Sequence, residues 1–467
     1  MAWPVISVAQ MREWETATWA TGQTEDAVIA RVGEALARQA RRMTQSGDGI
    51  LLLAGKGHNG DDVRAMVPHL KERSVHLIEV LDPPKALAEF SKALCAGPKL
   101  IVDGLFGIGL NRELDANWVT LIGGVNDARL PVLAVDVPSG LDAETGQPLP
   151  KAIRATVTMT VGAPKQGFLA VSAGDYLGRL EVATDVGLVP CPCVSDLQWM
   201  TEDDFEAFPP TRPASGHKGT FGHAALVAGS RGYHGAAVLT ARGAQRARPG
   251  LVTLITQPDT YVPVAAQAQA VMVQPWKDEF DFAKFTAVGF GPGLAAENLP
   301  PSVRQAFRHV WNEATAPIIA DASALDWLEP NAGENPSCRV MTPHPGEAAR
   351  LLGCSTAEIQ RDRPKALRAL SKRFGNCWVI LKGQHTLIGR AMGDVFANGS
   401  GNAGLAQGGT GDLLAGFITG WLAQPACQKE PWWSLLYAVW EHGAAADRLS
   451  ERRRNWIVEE LATELGG

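Results

Sequence analysis

The chain lacks three things whose absence is informative: paired metal-ligand spacing among its cysteines, a dominant sign of charge, and a long apolar run. Its seven cysteines are scattered from Cys95 to Cys427; Cys191 and Cys193 form the only close pair, and nothing downstream completes a zinc set. Structural thiols in a reducing, cytoplasmic compartment are the expectation. A formal net charge of −6 over 467 residues argues against nucleic acid or an anionic membrane as the main partner. The basic run Arg452–Arg454 falls in a helical pattern and reads as a solvated face. No apolar stretch approaches the ~20 residues of a membrane span. The opening MAWPVISVAQMREWE lacks the basic and apolar segments of a signal peptide. Neither a Walker A pattern nor a G-x-G-x-x-G turn is read in the chain, so neither a P-loop kinase nor a standard dinucleotide domain is expected.

What is present is glycine at the ends of apolar runs. The most concentrated case is Asn402–Gly416, NAGLAQGGTGDLLAG. Gly408, Gly409, Thr410 and Gly411 lead into Asp412 and then an apolar, helix-like run. Such a turn aims several backbone N–H groups at one point with a helix dipole behind them, an arrangement suited to a phosphoryl group. Asp412 falls in the first helical turn, within reach of whatever attacks the phosphate, and a helix start is expected to keep it ionised as a modest base.

In the first half, Ser7 and Gln10 form a capping-box pattern, and an amphipathic helix runs from about Glu25 to Met43. Short apolar runs follow, each ending in a polar, glycine-rich loop: Ile50–Ala54 before GKGHNGDD, Leu100–Val102 before DGLFGIGLNR, and Pro131–Val135 before DVPSGLDAETG. These read as parallel strands of a doubly wound α/β sheet, whose ligands bind beyond the strands' carboxyl ends. The three loops should therefore converge on one site. Asp136, a candidate catalytic residue, and Ser139 can face a hydroxylated ligand as base or hydrogen-bond partner, and oxygens of Asn59, Asp103 and Ser139 can hold a weakly charged cation such as K⁺.

Between Leu188 and Ser215 the composition shifts to Pro, Cys and Ser, which places a domain boundary near residue 196. The expected domains are 1–196 and 197–467. Strand-like runs recur at Ala224–Ala228, Leu251–Thr256, Val288–Phe290, Pro317–Ala320, Arg339–Thr342 and Trp378–Lys382. Helical patterns lie between them, so the second half is again α/β. Lys382, at a strand end, is placed to steady a nucleotide phosphate. His344, held between two prolines, is a further candidate.

The motifs HKGTFGHAALVAGS, GFGPGL, TPHPGEAARLLG, VILKGQHT and GNAGLAQGGTGDLLAGFI, in this order, resemble the ADP-dependent NAD(P)H-hydrate dehydratases, a ribokinase-like α/β fold. In the first half VDGLFGIGL, AVDVPSGLDAETG and VTMTVGAPKQGFL resemble the NAD(P)H-hydrate epimerase domain, a Rossmann-like three-layer α/β/α fold. The resemblance covers nearly the whole chain and implies a bifunctional repair enzyme for NADH or NADPH that has gained water across a ring double bond. It implies Asp412 as the base, Gly408, Gly409, Thr410 and Gly411 around the phosphoryl group, and Lys382, Gly383, Gln384, His385 and Thr386 with Gly411 around the adenine nucleotide. Ala237, Gly293 and His344 would contact the hydrate.

In the first half it implies hydrate contacts at His58, Asn59, Gly60, Asp61 and Asp62, at Gly107, Ile108, Gly109, Leu110, Asn111, Arg112 and Glu113, and at Asp136. K⁺ would lie on Asn59, Asp103 and Ser139, Mg²⁺ would accompany ADP, and a homo-oligomer is the family expectation. Three departures stand out. The family's GNNGGDG is GHNGDDV here, its MENAG is IARVG (Ile29–Gly33), and Ser323 replaces the usual Asp in DASAL. Asp61 beside a dinucleotide's phosphates should repel them unless a cation intervenes. The alternatives are therefore an active dehydratase joined to a weakened binding module, or a ribokinase-like kinase for a vitamin-precursor alcohol such as a hydroxymethylpyrimidine or thiazole.

Overall fold

The computed structural model describes residues 2–330, 333–335 and 337–467. The chain forms two compact units, Trp3–Asp196 and Leu197–Gly467.

In the first unit the strands are β1 (Gly49–Ala54), β2 (Ser74–Glu79), β3 (Leu100–Gly104), β4 (Val132–Val135), β5 (Val157–Val161) and β6 (Arg179–Ala183). They form a parallel sheet in the order β2-β1-β3-β4-β5-β6. The three apolar runs seen in the sequence are its central strands, β1, β3 and β4. Alternate residues serve opposite faces: Ile50, Leu52 and Val102 pack with Val32 and Leu36 of the helix Glu25–Met43, whereas Leu51, Leu53 and Ile101 meet Phe90, Leu121 and Ile122. Burial on both faces is why these strands read as unbroken apolar runs. Edge strand β2, SVHLIE, buries only Ile78 and carries no such run.

The second unit contains β7 (Leu197–Met200), β8 (His223–Val227), β9 (Leu251–Thr256), β10 (Met272–Pro275), β11 (Ala287–Phe290), β12 (Ile318–Ala320), β13 (Arg339–Met341), β14 (Trp378–Leu381), β15 (Leu387–Gly389) and β16 (Val395–Asn398). Their order is β7-β16-β15-β14-β13-β12-β11-β8-β9-β10, parallel from β14 to β10 and antiparallel through β14, β15 and β16.

One helix pair fixes the glycine-rich turn. The helix Thr410–Leu422 lies against His234–Arg246 so closely that a Cβ built on Gly243 would sit 2.0 Å from the Leu413 carbonyl oxygen, and one on Gly416 would sit 1.9 Å from that of Thr240. The glycines allow backbone-to-backbone packing. That contact sets where the first turn of Thr410–Leu422, and hence Asp412, projects.

Candidate active sites

In the second unit the strand-end residues and the glycine turn meet around Lys382. Gly409, with φ 96°, precedes the helix Thr410–Leu422 and turns the chain into it. Only glycine adopts that conformation without strain. Lys382, just past β14, donates from Nζ to Asp321 Oδ1 at 2.9 Å and lies 4.0 Å from Glu347 Oε2. A Cβ on Gly411 would lie 3.5 Å from the same ammonium, so the turn and the lysine share one space. Burial pulls the Lys382 ammonium down, but Asp321, Glu347 and then Asp412 outweigh it and leave it above its ordinary value.

Asp412 is not the modest, fully ionised base expected from its helix start. Burial, reinforced by Asp321, pushes its carboxyl up to about 6 even though Lys382 opposes the change. Desolvation exceeds the stabilisation a helix N-terminus supplies, which makes Asp412 a stronger base than its position alone suggests.

The nucleotide-binding candidates divide into two kinds. A Cβ on Gly408 would meet nothing within 4 Å, and one on Gly411 would meet only the Lys382 ammonium. Thr410 instead turns its hydroxyl back to the carbonyls of Leu405 and Gln407 at 2.9 and 3.0 Å, so its contribution is its backbone. Its own carbonyl lies 3.1 Å from His442 Nε2. Thr386 likewise donates to Gly383 O at 3.0 Å. His385 sits at φ 47°, with its ring edge-on to Trp199 and its Nδ1 3.3 Å from the Asn398 carbonyl. Burial drives that ring down to about 4, so it acts as a neutral wedge. The loop Lys382–Thr386 is strapped by Arg363, whose guanidinium donates to the carbonyls of Gln384 and Leu381.

His344 caps the helix Pro345–Leu352: its Nδ1 accepts from the N–H groups of Gly346 and Glu347, while its own N–H donates to Glu347 Oε2 at 2.7 Å. Its Nε2 lies 3.6 Å from Glu347 Oε1. Gly293, at φ 65°, packs under Tyr233 and Ala236, and its carbonyl accepts from Ser230 Oγ at 2.6 Å; Ala237 is fully buried beneath the same turn. These two shape a wall through their backbone and small size.

In the first unit a cavity of about 800 Å³ opens beyond the carboxyl ends of β1, β3 and β4. His58, Asn59, Asp62, Gly107, Ile108, Gly109, Leu110, Asn111, Arg112, Glu113 and Asp136 all line it. Gly60 and Asp61 do not. A Cβ on Gly60 would strike the Gly55 carbonyl at 2.0 Å, so this glycine serves close backbone packing. Asp61 turns to Arg64, 2.8 Å away, which also bridges to Glu79. The cation that the sequence required beside Asp61 is therefore supplied by the chain. Gly55, Gly57 and Gly60, between β1 and the helix His58–Met66, also have the G-x-G-x-x-G spacing of a dinucleotide turn, a signal missed when the loop is read for glycine content alone. The IARVG departure supplies cavity wall: Ile29 and Val32 line it, while Gly33 abuts the Ala65 backbone.

Beneath the cavity floor, Asp103 accepts from Ser139 Oγ at 2.6 Å, Ser139 N at 2.8 Å and Leu105 N at 3.3 Å. It is fully buried, and burial, only partly offset by these neutral donors, holds its carboxyl at about 6. Asn59 donates to Phe106 O and Val135 O at 3.0 and 2.7 Å, which leaves its Oδ1 as a free acceptor beside Gly107. A buried carboxylate without a cationic partner, among carbonyl and hydroxyl oxygens, suits a weakly hydrated monovalent cation. Among the described residues no cluster of three or more His, Cys, Asp or Glu side chains could hold a metal ion, so a divalent ion would depend on phosphate oxygens.

Several participants carried no clear sequence signal. Lys165, fully buried, donates from Nζ to Asp136 Oδ1 at 2.7 Å and to Thr160 Oγ1 at 2.7 Å. Asp136 itself adopts φ 60°, a strained conformation for a non-glycine residue that the buried ion pair holds in place. Asp321 and Glu347 fall inside the DASAL and TPHPGE runs without a role of their own, and Arg363 and Glu15 are unmarked, since each needs its neighbours from distant segments to acquire a role.

Comparison with known proteins follows the same division. Residues 224–465 match the family model described as NAD(P)H-hydrate dehydratase, and residues 83–167 match that described as YjeF-related protein N-terminus. The bifunctional NAD(P)H-hydrate repair enzyme Nnr of Gloeobacter violaceus is 33% identical, covering 99% of this chain and 96% of the relative. That of Escherichia coli is 33% identical over 95% of this chain and 89% of the relative. Among solved structures, the ADP/ATP-dependent NAD(P)H-hydrate dehydratase of Bacillus subtilis, co-crystallised with ATP/Mg²⁺, aligns with 33% identity and a TM-score of 0.52 over 57% of this chain and 95% of that one. Both site-bearing units thus have relatives in one set of two-domain proteins, and the chain belongs to the family of bifunctional NAD(P)H-hydrate repair enzymes.

Proposed function

We propose that the second unit dehydrates the S hydrate of NADH or NADPH at the expense of ADP, and that the first unit supplies it by interconverting the R and S hydrates. The observation that supports the dehydratase most strongly is the meeting of Asp412, the Gly408–Gly411 turn and Lys382 in one space. Asp412 takes the hydroxyl proton as that oxygen attacks the terminal phosphorus of ADP. The bond from phosphorus to the bridging oxygen breaks, and AMP leaves with the electron pair. Loss of a ring proton then expels phosphate and restores the double bond. The N–H groups of Gly408–Gly411 and the Lys382 ammonium match the charge that spreads over the transferring group. Mg²⁺ would offset nucleotide charge, held by phosphate oxygens with at most one or two carboxylates from Asp321, Glu347 and Asp412.

In the first unit, K⁺ on Asn59, Asp103 and Ser139 would balance the buried Asp103 and rigidify the cavity floor. The residues 107–113, His58, Asn59 and Asp62 would hold the hydrated dinucleotide, with Asp136 facing its hydroxyl. Free cysteines are consistent with the cytoplasm, and no helix among the described residues is long and apolar enough to cross a membrane. A homo-oligomer follows from the family reading.

The test follows the near-ultraviolet absorbance of reduced nicotinamide as purified protein meets mixed R and S NADH hydrate with ADP and Mg²⁺. Full recovery, faster than spontaneous epimerisation, is expected. Recovery that stalls once the S form is consumed would remove the epimerase activity and leave a binding module. No recovery with ADP or ATP would overturn the repair reading and favour an alcohol kinase.

A further inference from the structure

The cavity of the first unit has a wall that none of the expected site residues provides. It comes from the first two helices, Val8–Trp19 and Glu25–Met43, and presents Arg12, Glu15 and Trp19 beside Glu25, Val28 and Ile29. Within it Glu15 is half-buried and lines the same cavity as Asp62 and Asp136.

Those three carboxyls are not equivalent. Asp136 is tied to Lys165 at 2.7 Å and also accepts from Thr160 Oγ1 and Val161 N, both at 3.1 Å. Asp62 is only 6% exposed and lines the cavity, and its carboxyl has no hydrogen bond or ion pair among the described residues. A carboxyl left unpartnered in a mostly buried place is costly unless a ligand completes it. Glu15 reaches the same cavity from a different helix.

We propose that Glu15 is a catalytic residue of the first unit, acting with Asp62 as a pair of carboxyls that give and take the proton of the hydrate's hydroxyl during epimerisation. This assignment rests on the epimerase reading above.

The chemistry of the hydrate calls for such a pair. Hydration of an enamine places the hydroxyl on the carbon bonded to nitrogen. As the carbon–oxygen bond breaks, its electron pair leaves on oxygen and the nitrogen lone pair forms a planar iminium. One carboxylic acid protonates the departing oxygen to give water. Water then adds to the other face of the iminium, and a second carboxylate takes its proton. Each passage moves one proton from one carboxyl to the other, and return of the product by the same route, or exchange with solvent, resets the pair. One member must start protonated and the other ionised.

The surroundings allow this. Burial raises Asp62 well above the ordinary carboxylate range, with Asp136, Asp61 and Glu15 reinforcing it. Burial also raises Glu15, aided by Asp136 and opposed by Lys165, His58 and Arg12. Two acids displaced in the same direction, one more than the other, can share a single proton.

The test compares wild type with E15Q and E15D, measuring ADP-dependent recovery of NADH separately from purified R and S hydrates. S-hydrate recovery uses the other unit and reports the amount of working protein. For E15Q the expected result is a fall in R-hydrate turnover of about 10²-fold or more, the range general acid–base groups supply. KM should change less than kcat, one limb of the pH profile should disappear, and E15D should regain at least about tenfold over E15Q. Turnover of R hydrate by E15Q within about threefold of an active wild type, with an unaltered pH profile, would overturn the assignment alone. A wild type that leaves the R hydrate at its spontaneous rate would overturn the epimerase reading, and the assignment with it.

Discussion

Lys382 Nζ and Asp321 Oδ1 lie 2.9 Å apart, joining the ends of β14 and β12 under the glycine turn. Thr342 Oγ1 donates to the same Asp321 oxygen at 2.5 Å, so the carboxylate is fixed from two sides. The pair anchors the ammonium and keeps a second negative charge near Asp412. One ion pair thereby fixes the lysine and tunes the carboxyl proposed as the base.

The pH dependence of the dehydratase follows from that tuning. A base must be ionised to accept a proton, and Asp412 loses its own near 6. Turnover of S hydrate should rise about tenfold per pH unit below this value and level off above it. D412N should lower kcat about 10²- to 10⁴-fold and abolish this limb. D321N removes a carboxylate that raises Asp412, so the midpoint should move to lower pH. A midpoint that stays put in D321N would show that burial alone governs Asp412.

The nucleotide loop gives a second prediction. Arg363 spends its guanidinium on the carbonyls of Leu381, Gln384 and His385, and lysine cannot reproduce that planar, forked donation. R363K should raise KM for ADP about tenfold while kcat at saturation falls less. A variant with unchanged KM would show that the loop is shaped by His385 and Trp199 instead.

Parts of this were legible beforehand, for physical reasons that differ by element. Strands β1, β3, β4 and β9 announce themselves because both faces are buried, and the helix Glu25–Met43 because one face is. Strands β15 and β16, with edge strands β2 and β10, are short or half-solvated and leave no run to recognise. The Gly408–Asp412 turn is visible because anion binding demands glycine in sequence. Asp321 and Lys165 lie within recognisable runs, DASAL and VTMTVGAPKQGFL, but their roles, like that of Glu15, are invisible, since a carboxylate or ammonium acquires meaning only from groups far along the chain. The base strength of Asp412 exceeds what its helix position implies for the same reason: helix position is local, whereas burial and Asp321 are not.

Asp61 allows a test of the chain's own compensation. Arg64 pairs with both Asp61 and Glu79. R64A should leave these acids uncompensated near the cavity mouth and raise KM for R hydrate several-fold. The defect should shrink with added salt, since both acids are partly solvated. D61G introduced into R64A should recover part of the loss. A salt-insensitive defect would instead assign Arg64 to packing, through its hydrogen bond to Gly55 O at 2.8 Å.

The helix pair beneath the glycine turn gives the last prediction. In an exposed helix interior, glycine to alanine stabilises by roughly 0.5–1 kcal/mol, because alanine has less backbone entropy to lose. At Gly416 the sign should reverse, because the new Cβ would lie 1.9 Å from the Thr240 carbonyl oxygen and the neighbour is backbone on a packed helix. Overpacking of this kind costs about 1–3 kcal/mol, which exceeds the propensity gain. G416A should therefore lower the melting temperature by several degrees, at roughly 2–4 °C per kcal/mol for a unit of this size. Separating the helices also moves the first turn of Thr410–Leu422, so S-hydrate turnover should fall although Gly416 touches no ligand. G235A is the control, since nothing lies within 4 Å of a Cβ there and stability should hold or rise. A G416A protein as stable and active as wild type would mean that the two helices part without cost, and that the Asp412 turn is positioned by something other than this glycine contact.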